Sequence, residues 1–86
     1  MDRDRLEGFC GTYHMEGYGD ISITMAEQGD RLVFTTPDGE SGFLRPESES
    51  VFFDPADGIP VKFLVDQTSG AVTGFVWSGY EATKTE

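Results

Sequence analysis

From Pro60 to Ser78 the chain alternates apolar and polar residues in two runs separated by a polar turn, the pattern of a β-hairpin. Val61, Phe63 and Val65 share one face of the first run, Lys62 takes the other, and Asp66 to Gly70 supplies the turn chemistry. The same two-residue rhythm recurs upstream. Phe9, Gly11 and Tyr13 alternate, a glycine-bearing turn follows from Glu16 to Asp20, and Ile21, Ile23 and Met25 alternate with Ser22, Thr24 and Ala26. Glu27 to Asp30 makes the next turn, Arg31 to Thr36 is rich in β-branched and aromatic residues, and Pro37, Asp38 and Gly39 end it.

Two shorter runs complete the pattern. Glu40 to Arg45 is closed by Pro46, and Ser50 to Asp54 by Pro55, so these prolines fall at borders, where a missing backbone donor costs a sheet least. Gly79 to Thr83 offers an eighth strand. Turns recur about every 8 to 12 residues, which predicts an all-β fold: an antiparallel up-and-down meander of seven to eight strands over residues 1–86. Closure into a small barrel removes unpaired edges. Ile21, Ile23, Met25, Leu32, Phe34, Leu44, Phe52, Val61, Phe63, Val65 and Val72 take the inward face, with Phe75 and Trp77 following after a bulge marked by Gly74. Residues 1–7 and 81–86 are expected to be loosely ordered.

Composition narrows the function classes. Eighty-six residues make one domain with one core, and seven Phe, three Tyr and one Trp fill it with large rings. Sixteen acids against six bases leave a net charge of −10, the wrong sign for a phosphate backbone or an anionic membrane surface, so no nucleic acid or membrane partner is expected. No apolar run approaches the roughly 20 residues of a membrane-spanning helix, and no signal-peptide core follows the charged start; a complete chain would be cytoplasmic. Cys10 is the single cysteine, which rules out an internal disulfide.

Candidate chemistry is sparse. Three residues before Lys62 and Lys84 stand Ile59 and Glu81, so the Ser-x-x-Lys nucleophile motif is absent. His14 has no Gly-x-Ser-x-Gly elbow to serve, and Ser41-Gly42 and Ser69-Gly70 read as strand-end and turn residues. Cys10 and His14 fall on one face of the first strand, too few for a structural zinc centre. Asp54 to Gly58 lacks the alternating acids and closing glutamate of a calcium loop, and Glu47 and Glu49 sit in a solvated loop. No catalytic residue, metal or cofactor is expected. Val33, Phe43, Phe53, Leu64 and Val76 alternate away from the core and form a candidate interaction patch. An alternative is a small apolar ligand held inside the barrel by Phe34, Phe63 and Trp77, although many inward rings leave little room for one.

Leu6-x-x-Phe9-x-Gly11-x-Tyr13, Arg31-Leu32, Phe43-Leu44-x-Pro46, Phe52 and Val61-x-Phe63-x-x-Asp66-x-x-x-Gly70-x-Val72-x-Gly74-Phe75 together resemble a known family. It is the lipocalin-like β-barrel domain that follows serine β-lactamase-like hydrolases and peptidases. The order covers nearly the whole chain, with Phe9 where that family usually has Tyr. The resemblance implies a non-catalytic accessory module that packs on a hydrolase domain, in cis or in trans, or that self-associates. It transfers no catalytic residue.

Overall fold

A computed structural model of the protein describes residues 3–56 and 58–85. A short helix, α1 (Arg3–Glu7), precedes eight strands: β1 (Gly11–Met15), β2 (Gly19–Met25), β3 (Leu32–Thr35), β4 (Ser41–Pro46), β5 (Val51–Phe53), β6 (Pro60–Val65), β7 (Val72–Trp77) and β8 (Tyr80–Lys84). Each strand pairs antiparallel with the next, and β8 returns to β1 through Met15 opposite Ala82 and Tyr13 opposite Lys84, closing an up-and-down barrel. The alternation that predicts strands also predicts the inward face. Tyr13, Ile23, Leu32, Phe52, Phe63 and Ala82 are all at most 2% exposed.

Rings fill the middle and one end of the barrel. Phe63 lies 4.8 Å from Phe9, 5.3 Å from Phe52 and 5.6 Å from Phe75, centroid to centroid, in tilted and edge-on contacts that suit the ring quadrupole. Tyr13 joins this cluster, 5.0 Å from Phe75, and its buried hydroxyl donates to the Phe9 carbonyl at 2.7 Å. That bond satisfies a polar atom that would otherwise be costly to desolvate.

Two glycines are required by close approach. A Cβ on Gly74 would collide with the Ala82 carbonyl oxygen of β8, a backbone atom that cannot swing away. Just before it the β6–β7 register shifts, Leu64 facing Gly74 but Val65 facing Val72, so Thr73 is the extra residue of a bulge. A Cβ on Gly42 would stand 2.7 Å from the Phe34 ring, its partner across β3–β4. The absent side chain is the space that the ring occupies.

Two expectations need correction. Val65 is 42% exposed rather than inward, because it is the last residue of β6, beyond the bulge, where the barrel wall ends. The termini are also more ordered than expected. Residues 3–7 form α1, with Leu6 fully buried, and β8 closes the barrel up to Lys84, after which the Thr85 amide donates to the Thr12 carbonyl at 2.8 Å. Both segments have apolar surface to cover: Leu6 closes the end of the core, and Ala82 packs within it.

Candidate functional site

Because the strands alternate direction, the connections fall into two sets at opposite ends. The loops at 26–31, 47–50 and 66–71 share one end with α1; those at 16–18, 36–40, 54–59 and 78–79 share the other. At the α1 end, Leu6 and Phe9 lie over the aromatic cluster, and Arg5 reaches Glu49 of the β4–β5 loop at 3.6 Å. Among the described residues no helix covers the opposite end.

A cavity of about 60 Å³ opens there. Its walls are inward residues of the strands, Ile21, Ile23, Leu44, Val61 and Phe75 among them, and Phe34 and Trp77 line it above. Tyr18, Thr36 and Asp54 form its rim, and the β7–β8 hairpin beside it places Tyr80, 64% exposed, opposite Trp77. The rim is held by local hydrogen bonds. Asp54 Oδ1 accepts from the Ala56 amide at 2.8 Å, the Asp54 amide donates to the Ile59 carbonyl, and the Thr36 hydroxyl bonds Asp38 and the Glu40 carbonyl. Such Asx-type turns keep a carboxylate at the mouth while fixing its loop.

Of the residues expected to line a ligand site, Phe34 and Trp77 line this cavity. Phe63 does not: it is 1% exposed and lies deeper, within the aromatic cluster, because inward parity assigns a face and not a height along the barrel. Tyr18, Thr36 and Asp54 escaped the sequence reading. They belong to loops, where periodicity says nothing about direction.

The five candidate patch residues divide into two groups on the outer wall. Val33 and Phe43 face each other across β3–β4, and Phe53 joins them diagonally through its pairing with Arg45. Phe43 is 46% exposed and Arg31 lies over its ring, 4.9 Å from the centroid. Leu64 and Val76 are diagonal neighbours on β6–β7, and Lys62, opposite Val76, separates them from the first group. Val33, Phe53, Leu64 and Val76 are half-buried.

Comparisons with protein-family models, curated proteins and solved structures find no match to this chain. Its chemistry must be read from its own residues. Cys10 and His14 are not brought together as ligands. The Cys10 thiol contacts the Leu6 carbonyl at 3.7 Å, and its pKa is raised by burial and then by the Glu7 carboxylate, against a smaller opposing effect of Lys84. His14 Nδ1 pairs with Asp20 at 2.9 Å on the exposed wall. Among the described residues no group of three His, Cys, Asp or Glu side chains is arranged to hold a metal, and Asp57 of the calcium-like loop lies outside those residues. Ser41 begins β4, and the Ser69 hydroxyl accepts from the Ala71 amide in the β6–β7 turn. A second concavity, a groove of about 530 Å³ at the α1 end, is lined by Asp4, Arg5, Glu49, Val65 and Lys84.

Proposed function

We propose that the protein is a non-catalytic accessory domain that works by contact, in the manner of the lipocalin-like barrels that accompany serine β-lactamase-like hydrolases. Its partner is a hydrolase domain, in cis or in trans, or a second copy of the chain. The observation that supports this reading is the outer face of β3–β5. Phe43 stands in solvent beside Val33 and Phe53, flanked by Arg31 and Arg45, an arrangement of aromatic and arginine side chains suited to an interface. Sedimentation of the wild type, Phe43→Ser and Phe53→Ser tests the self-association branch. Assembly that grows with concentration in the wild type and is lost in both variants is expected, with Phe43→Ser changing stability by less than about 0.5 kcal/mol, as for a surface side chain. Unchanged assembly together with a core-like loss of stability would remove the patch from the interface.

A second reading is favoured by one observation, the cavity at the uncovered end. In it the barrel takes the end of a small apolar molecule between Phe34 and Trp77. The volume sets the scale: about 60 Å³ is less than half of the roughly 150 Å³ that admits a benzene ring in a dry protein cavity. The ligand is therefore held by its tip and not enclosed.

A further inference from the structure

We propose that the open end of the barrel binds the tail of an unbranched aliphatic molecule, inserted methyl end first. This inference rests on the second reading above and adds the shape and length of the group that enters. The scale comes from the volume. The six carbons of a benzene ring enter a dry cavity of roughly 150 Å³, about 25 Å³ for each, so about 60 Å³ holds a tip of about two carbons. The ethyl end of a straight chain fits that space, and a ring or a tert-butyl group exceeds it. The walls are as selective as the volume. Ile21, Ile23, Leu44, Val61 and Phe75 are all buried and offer no side-chain partner to a hydroxyl or an amide, so the entering group is hydrocarbon.

The part of the chain that follows the tip meets rings. Tyr80 shares the inward parity of Ala82 on β8 and pairs with Trp77, yet it is 64% exposed, and Tyr18 on the rim is 43% exposed. Of the four large apolar side chains exposed among the described residues, these two stand at the mouth of the cavity. Their faces, with those of Phe34 and Trp77, give successive methylenes the dispersion contact that so small a cavity cannot supply. A straight chain uses both cavity and rings, and a compact molecule uses only the rings. The occupant is a free molecule rather than a bilayer lipid, because a net charge of −10 opposes approach to an anionic membrane surface.

Hexan-1-ol and 3,3-dimethylbutan-1-ol are isomers with the same hydroxyl, uncharged, and differ only in the shape of the tail. Each is titrated against the isotope-labelled full chain and followed by NMR. Hexan-1-ol should shift the Ile23 and Val61 methyl signals together with the Trp77 indole. It should bind about tenfold more tightly than its isomer, since each carbon kept out of the cavity costs about fourfold in affinity. Val61→Ile, whose added methyl takes up the room of one carbon, should weaken hexan-1-ol about fourfold. Val61→Ala, which frees the room of two, should bring the isomer to within about twofold of hexan-1-ol. Should Val61→Ala lose its folded spectrum, the two isomers on the wild type and on Val61→Ile decide the matter.

Equal binding of the isomers to the wild type at the cavity signals would overturn the unbranched tail while leaving the apolar cavity of the second reading in place. Failure of both to move Ile23 and Val61 would overturn the two together. Shifts confined to Tyr18, Trp77 and Tyr80 would mean adsorption on exposed rings and overturn insertion. Flotation of the chain with vesicles of mixed neutral and anionic phospholipid would overturn the assignment to a free molecule.

Discussion

At one end of the barrel Leu6 and Phe9 lie over Phe52 and Phe63; at the other Phe34 and Trp77 have the same inward parity and line a cavity rimmed by Tyr18, Thr36 and Asp54. An eight-stranded wall encloses its core laterally but not at its ends, and polar turns cannot supply the missing apolar cover. Five residues of helix solve this at the first end, tied to the β4–β5 loop by the Arg5–Glu49 pair. At the second end the turns leave a small cavity with Asp54 at its rim. A side chain at the covered end is therefore expected to govern stability, and one at the open end to govern recognition.

The largest effect expected is that of Leu6→Ala, which opens a hole beneath α1 and should cost about 3 kcal/mol in urea unfolding. A cost under about 1 kcal/mol, the scale of an ordinary surface change, would mean that α1 does not close the core. Tyr13→Phe comes next, at about 1–2 kcal/mol, because the Phe9 carbonyl loses its donor inside the protein.

Tyr13 also sets a pH dependence. Burial, and to a lesser extent Cys10, raises its hydroxyl pKa well above the ordinary value near 10. The folded state then holds the proton more tightly than the unfolded chain. Stability is complete below about pH 10 and falls as the pH rises from there toward the folded value. Wild-type stability measured between neutral pH and about pH 11 should show this fall, and Tyr13→Phe should keep only the part due to the raised Cys10 thiol. Identical slopes in the two proteins would place the proton linkage elsewhere. The smallest effect is at the open end: Asp54→Asn, retaining its turn bond to Ala56, should alter stability by less than about 0.5 kcal/mol. A loss comparable with that of Leu6→Ala would erase the contrast between the ends.

Most of the wall was legible because strand alternation is local. Ile21, Ile23, Leu44, Phe52, Val61 and Phe63 can each be assigned a face from immediate neighbours, and Gly74 signals the irregularity found at Thr73. Leu6 gave no such signal. It is one apolar residue among Arg3, Asp4, Arg5 and Glu7, in a helix shorter than two turns, so no period exists to reveal a buried face. Parity also misplaced Val65 and put Phe63 beside Phe34 and Trp77, since it carries no information on height and is interrupted by a bulge.

The sequence by itself determined the all-β class, the strand positions, the inward parity and the excess of acid, because these depend on residues a few places apart or on composition alone. Tertiary structure decided which turns share an end, that Leu6 closes one of them, and that Asp54, Tyr18 and Trp77 meet around a cavity at the other. The physical reason is closure. Only when β8 pairs with β1 do loops distant in the chain become neighbours around one opening, bringing Tyr18, Thr36 and Asp54 to one rim.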